Sequence, residues 1–329
     1  MKNIPLTINE TQEGLIRKDY SAVDLVDFYL ARIDKYNKEL NVFLTVTKEE
    51  AYKKAKKLDK ILRYKDTKIL SDYPLLGVAI AHKDLFLTKG VRTTAGSKVL
   101  QSYVPEYSAT VVNRIDKAGA IMLGKLNCDA WAQGSSGENS DFGTTKNPWN
   151  RDYVAGGSSS GSAAALSANM SLISTGTDTC GSIRLPANFN YLVSLKPTYG
   201  AISRYGVIAM ASSLDTVGPL GHTVEDVKRV FNVIKGEDGY DSTVKNINWQ
   251  KPIKTKLEVG IPREFFEKGL DFEVKKNIER AIEIFKKSGI EFKEVKMPTT
   301  KYAISVYYII QPAEVSSNLG RFDGIRYGE

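Results

Sequence analysis

Two serines and one lysine carry the chemistry this chain can offer. Ser158 and Ser182 stand 24 residues apart (182 − 158), each in a Gly/Ser-rich turn, and Lys83 lies upstream of both. The turns read Gly156-Gly157-Ser158-Ser159-Ser160-Gly161-Ser162 and Asp178-Thr179-Cys180-Gly181-Ser182-Ile183-Arg184-Leu185-Pro186. A serine hydroxyl is a weak nucleophile until a base takes its proton. The chain has only two histidines, His82 and His222. A lysine held neutral is the remaining candidate base, as in Ser–Lys variants of the serine triad.

Glycine lets successive backbone N–H groups turn toward one point, and such groups stabilise an oxyanion that forms only in the transition state. Thr179, Cys180 and Gly181 would supply them around Ser182. Ser158 would relay protons between Lys83 and Ser182. On the motif alone, a flexible Gly/Ser connector is an equal reading. Two features weigh against it. The first run passes straight into Ser162-Ala163-Ala164-Ala165-Leu166, a strong helix former, and Ser182 is followed by an apolar and basic segment. A phosphate cradle ranks lower, because the Gly-Lys-Ser/Thr ending of a P-loop is missing.

With these residues in place, the chain resembles the amidase signature family. The likeness runs from Gly77-Val78-Ala79-Ile80-Ala81-His82-Lys83-Asp84 through Gly134-Ser135-Ser136-Gly137-Glu138-Asn139-Ser140 and Thr144-Thr145-Lys146-Asn147-Pro148-Trp149-Asn150. It ends at Leu195-Lys196-Pro197-Thr198-Tyr199-Gly200. Within that family it is most similar to the glutaminase subunits of tRNA-dependent amidotransferases. That finer likeness rests on Ile202-Ser203-Arg204-Tyr205-Gly206-Val207, Ala211-Ser212-Ser213-Leu214-Asp215 and Ala313-Glu314-Val315-Ser316-Ser317-Asn318-Leu319.

The resemblance implies roles residue by residue. Ser182 becomes the acyl nucleophile, Ser158 the bridging serine reached through a cis peptide after Gly157, and Lys83 the base. Burial would lower the Lys83 pKa. Asp84 would oppose that shift if it pointed inward, so it is expected to point elsewhere. Tyr308, in Tyr307-Tyr308-Ile309-Ile310, matches a substrate-contacting tyrosine, although an aromatic pair is more often core. Cys180 and Ser160 stand where the family has glycines, and Cys180 would be strained if its φ had to be positive. His82 replaces a small or apolar residue. It reads as a hydrogen-bonded neighbour, and if charged it would help keep Lys83 neutral by repulsion.

The same resemblance implies glutamine as substrate, with an amidotransferase B subunit and a small C-type subunit as partners. Glu-tRNA(Gln) would be reached through the complex. No cofactor is expected on this chain, and ATP and Mg would be used through the partner subunit. Two other readings remain in view: a stand-alone amidase of small carboxamides, and a truncated scaffold without turnover. The second arises because the family continues for roughly a third of its length beyond the segment matching Tyr327-Gly328-Glu329.

Composition agrees with an ordinary globular enzyme, with 26% charged and 42% hydrophobic residues. The net charge of +8 suits an acidic partner or RNA, but lysines such as Lys53, Lys54, Lys56 and Lys57 read as a solvated helix face. Cys128 and Cys180 give neither a disulfide framework nor a metal spacing. No signal-peptide pattern opens the chain and no apolar run reaches membrane length, so a cytoplasmic location and no membrane contact are expected.

The elements that must position these groups follow from periodicity. Ser21-Ala22-Val23-Asp24 reads as a capping box, and Val26, Tyr29, Leu30 and Ile33 follow on one face. Thr47 caps a second helix striped by Ala51, Ala55, Leu58 and Leu62. Leu40, Val42, Leu44 and Val46 alternate as in a strand. Strands are then expected at 75–81, 120–123, 171–174 and 257–261, and helices at 108–118, 162–168, from 223 to near Gly236, and around 274–285. This alternation predicts an α/β fold: a mixed central sheet covered by helices on both faces, with N-terminal helices. Residues 1–65 would form an N-terminal helical segment packing on the core, and 66–329 the amidase signature core, incomplete at its C-terminus.

Overall fold

The computed structural model describes residues 5–63, 68–245, 258–266 and 269–328. Its helices are α1 (Ile8–Arg17), α2 (Ala22–Leu40), α3 (Lys48–Leu62), α4 (Ile69–Asp72), α5 (Thr110–Lys117), α6 (Ser160–Ser167), α7 (Arg184–Phe189), α8 (Val224–Ile234), α9 (Phe272–Lys287) and α10 (Ala303–Leu319). Its strands are β1 (Phe43–Val46), β2 (Ala79–Lys83), β3 (Ile121–Leu126), β4 (Ile173–Asp178), β5 (Val193–Ser194), β6 (Thr216–Gly221), β7 (Glu258–Pro262) and β8 (Glu291–Val295).

The chain forms two compact units. One comprises Met1–Ile247 with Glu314–Glu329, and the other Asn248–Ala313. The boundary expected at 65/66 falls among residues 64–67, outside the described ones. In the first unit, six strands form a mixed sheet in the order β1-β3-β2-β4-β6-β5. β2 runs parallel to both β3 and β4, while β1, β6 and β5 pair antiparallel with their neighbours. Helices flank this sheet, so the α/β expectation holds. β2 and β4, at its centre, are buried along their whole length, as strands covered on both faces must be.

Local chemistry explains most elements. The Ser21–Asp24 capping box is complete: the Ser21 hydroxyl accepts the Asp24 N–H, and the Asp24 carboxylate accepts the Ser21 N–H. Val26, Tyr29, Leu30 and Ile33 then bury the face that meets the core. Thr47 stands at the N-cap of α3 but makes no side-chain cap; its hydroxyl donates instead to the Met122 carbonyl at 3.1 Å. The alternating run at 40–46 begins one element early, since Leu40 closes α2 and the strand starts at Phe43. The apolar run from Leu75 is a strand only from Ala79. Gly77, at φ 71°, turns the chain first.

The second unit pairs β7 with β8 in parallel across α9. Asp271 caps α9 by accepting the Glu273 and Val274 N–H groups, and Gly289 leaves it at φ 84°. Its apolar stripe, including Val274, Ile278 and Phe285, is exposed.

Candidate active site

Lys83 is the last residue of β2, at the centre of the sheet, and is fully buried. Its Nζ donates to Ser158 Oγ at 2.7 Å and to Thr177 Oγ1 at 2.9 Å. Burial lowers its pKa to about 8, against the opposing pull of Cys128, Asp129, Asp215 and Asp178. A buried ammonium has lost its water, and two hydroxyls replace that solvation only in part.

Ser158 reaches this amine from the loop before α6. The Gly157–Ser158 peptide is cis. A side chain would not fit at Gly157, where a Cβ would stand 2.0 Å from Asp129 Oδ2. Asp129 braces the surroundings, since its carboxylate accepts the Gly137 N–H at 3.1 Å and the Asn139 N–H at 2.9 Å. Its own N–H donates to the Ser158 carbonyl at 3.2 Å. α6 then starts at once, fully buried over its first seven residues, as the Ala-rich run implies.

Ser182 sits on the turn after β4. Asp178 organises this turn. Its Oδ1 accepts the Gly181 N–H at 2.7 Å, and its Oδ2 accepts the Ile183 N–H at 3.1 Å. Arg184 closes on the same carboxylate from Nε at 3.1 Å and Nη2 at 3.0 Å. Burial alone would raise the Asp178 pKa, but the bonds from Arg184, Ile183 and Gly181 pull it below the usual carboxylate range. The two serine loops are joined by the Ser159 N–H, which donates to the Ser182 carbonyl at 3.2 Å. Among the described residues the Ser182 hydroxyl itself has no hydrogen-bond partner, to Ser158 or any other group.

The expected oxyanion donors divide. The Gly181 N–H is occupied by Asp178. The N–H groups of Thr179, Cys180 and Ser182 have no acceptor among the described residues. The Thr179 side chain is tied to Asp215 Oδ1 at 2.7 Å. Gly181, not Cys180, takes the left-handed backbone, at φ 135°. Cys180 therefore carries none of the strain its replacement of glycine suggested, and its side chain is exposed.

His82 is buried, with Nδ1 at 3.0 Å from Thr175 Oγ1. Burial first, and then the charge of Lys125, push its pKa down to about 3. It is neutral at ordinary pH, so the repulsion that a charged His82 would exert on Lys83 does not arise, and it sits as a hydrogen-bonded neighbour. Asp84 points away from Lys83, as expected, and pairs with Lys125 at 3.0 Å. Tyr308 lies on α10 within the second unit, edge-on to Tyr307 and 67% exposed, so it is no core residue.

Sequence reasoning missed Thr177, the bracing role of Asp178, Asp215 and Lys125. An acidic residue opening a glycine turn, with an arginine six positions on, is the signal that would have found the Asp178–Arg184 pair. Among the described residues no group of three or more His, Cys, Asp or Glu could hold a metal ion. No helix among them is long and apolar enough to cross a membrane.

Comparison with known proteins adds to this geometry. The amidase family profile matches residues 24–329. The chain is 46% identical over 331 residues to the A subunit of glutamyl-tRNA(Gln) amidotransferase from Carboxydothermus hydrogenoformans, covering 98% of this chain and 67% of that protein. The chain thus spans about two thirds of the length of such relatives. The crystal structure of the corresponding protein from Thermotoga maritima superposes with a TM-score of 0.82 at 34% identity, covering 96% of this chain and 67% of that one. The peptide amidase of Stenotrophomonas maltophilia gives a TM-score of 0.83 at 26% identity, covering 98% of this chain and 70% of that one. The profile match over most of the chain and the identity to these relatives show that this protein belongs to the amidase family.

Proposed function

We propose that this chain is the glutaminase subunit of a tRNA-dependent amidotransferase, working through Lys83, Ser158 and Ser182. The observation that carries the chemistry is the fully buried Lys83 amine, 2.7 Å from the Ser158 hydroxyl. The 46% identity to an amidotransferase A subunit carries the choice of substrate.

In this reading, neutral Lys83 accepts the Ser158 proton while Ser158 accepts the proton of Ser182. Ser182 Oγ then bonds to the carboxamide carbon of glutamine, and the carbonyl oxygen becomes an oxyanion facing the free N–H groups of the turn. The relay returns the proton to the amide nitrogen. The C–N bond breaks, ammonia leaves and an acyl-Ser182 ester remains. Water, deprotonated by the same relay, hydrolyses the ester to glutamate and restores Ser182. No hydrogen bond joins the Ser182 hydroxyl to Ser158 in this structure, so the Ser182 side chain must come into reach of Ser158 for the relay to run.

Ammonia then passes to a B subunit, with a small C-type subunit completing the complex. That partner uses ATP and Mg to convert Glu-tRNA(Gln) to Gln-tRNA(Gln). The test is ammonia release from glutamine by the purified protein, with and without the B and C subunits and Glu-tRNA(Gln). Glutamine turnover that rises with the partners supports the reading. Turnover of simple carboxamides with none of glutamine would replace it with a stand-alone amidase.

A further inference from the structure

Beside the base lies a second buried lysine that the chemistry above does not use. Lys125, on β3, is fully buried, and so is Asp84, the chain neighbour of Lys83. Lys125 Nζ stands 3.0 Å from Asp84 Oδ1 and donates to Thr93 Oγ1 at 2.7 Å. The other carboxylate oxygen of Asp84 accepts the Thr94 N–H at 2.8 Å and the Thr94 hydroxyl at 2.5 Å. Strand alternation explains the layout. β2 and β3 run in register with His82 opposite Lys125 and Lys83 opposite Leu126. Successive side chains point to opposite faces. Lys83 is therefore directed to Ser158, while His82 and Asp84 turn to the side where Lys125 waits.

A buried ion pair rarely adds net stability over an apolar pair of the same volume. What this one does is electrostatic. A carboxylate buried one residue from a lysine would act as its counter-ion and favour the ammonium form. We propose that Lys125 is a positioning residue for the base: it holds and neutralises Asp84, so that Asp84 does not become the counter-ion of Lys83. This rests on the reading of Lys83 as base. The remaining charges around the two lysines are few. Asp129, Asp178 and Asp215 face Lys83, each already hydrogen-bonded elsewhere. Cys128 feels the charge of both lysines, and burial raises its thiol to about 12, so it stays neutral. Arg92 and neutral His82 are the other groups near Lys125.

The experiment follows the rate of Ser182 labelling by a fluorophosphonate against pH in the purified protein, with Lys83→Ala as the unlabelled control. Wild type should show an acid limb set by the relay. Lys125→Met leaves Asp84 uncompensated and should move that limb up by about one pH unit or more. Asp84→Asn alone should leave it in place or move it down, and Asp84→Asn with Lys125→Met should return it to the wild-type position. A limb unmoved in Lys125→Met, or still raised in the double variant, would overturn the inference while leaving Lys83 as base. Wild-type protein that does not label would overturn both. If Lys125→Met does not fold, Lys125→Gln, which keeps a neutral donor for Asp84, takes its place with the same expected rise, and the double variant remains the check. A limb displaced by a full unit in the double variant contradicts the proposal.

Discussion

Asp178 accepts the N–H of Gly181 at 2.7 Å and thereby shapes the turn that presents Ser182. The carboxylate is fully buried, yet it stays charged because two more N–H groups and the Arg184 guanidinium converge on it. Removing it leaves donors unpaired and the turn free to drift. Asp178→Ala is expected to lower kcat on any amide by ~100-fold or more, since an ångström of misplacement is enough. It should also cost about 1–3 kcal/mol in stability for the donors left buried. Arg184→Ala should cost less, because the arginine side chain is half exposed and the backbone donors persist. Steady-state kinetics beside thermal melting of both variants checks this. Normal kcat in Asp178→Ala would show that the turn holds itself.

Ser182, the proposed nucleophile, behaves oppositely. The Ser182 hydroxyl bonds to nothing among the described residues, so its loss leaves no partner stranded. Ser182→Ala should therefore melt within about 0.5 kcal/mol of the parent while forming no acyl-enzyme. Intact mass after incubation with a fluorophosphonate distinguishes the two proteins. An adduct persisting in Ser182→Ala would move the nucleophile to another residue.

How much of this was legible in the sequence depends on the range of the interaction. The proposed trio could be singled out because glycines and hydroxyls cluster locally around Ser158 and Ser182, and the structure does bring Lys83 to Ser158. The central sheet could be read because β2 and β3 are short, mostly apolar runs between helical stripes. What failed was tertiary. The capping hydroxyl of Thr47 went to a carbonyl on β3, a partner 75 residues away that no local pattern reveals. The apolar run from Leu75 hid a turn at Gly77 because buried turns and buried strands share a composition. Likewise, the Lys125–Asp84 pair joins positions far apart in the chain, and a lone lysine inside Leu123-Gly124-Lys125-Leu126 gives no hint of its partner.

The pH dependence should belong to Lys83. With its pKa lowered by burial to about 8, the amine is largely protonated at pH 7 and becomes an effective base as pH rises through 8. The acid limb of kcat/KM should fall there, and neither His82→Ala nor His222→Ala should remove it. Lys83→Ala should cost several orders of magnitude, and Lys83→Arg should not restore activity, because guanidinium keeps its proton. The sign for stability follows from the same shift. Below pH 8 both folded and unfolded chains hold the proton, and the burial cost is present in full. Between about 8 and the ordinary 10.5 the unfolded chain binds more protons, so stability rises with pH. An active Lys83→Arg protein, or an acid limb lost with His222→Ala, would contradict this assignment.

The last expectation concerns the thiol two residues before Ser182. Cys180 is exposed, while Cys128, the other cysteine of the sequence, is buried with its thiol pushed up to about 12. Thiolate is the reacting form, so a thiol reagent should reach Cys180 and spare Cys128. Cys180 does not occupy the left-handed region, so the side chain is tolerated as it stands and glycine should be tolerated in its place. N-ethylmaleimide should therefore inactivate the native protein by crowding the Ser182 turn, at one adduct per chain. Cys180→Gly should keep about the parent's activity and resist the reagent. The check is residual turnover beside adduct mass. Full activity in singly modified native protein would mean that the Cys180 side chain points away from the path of the substrate.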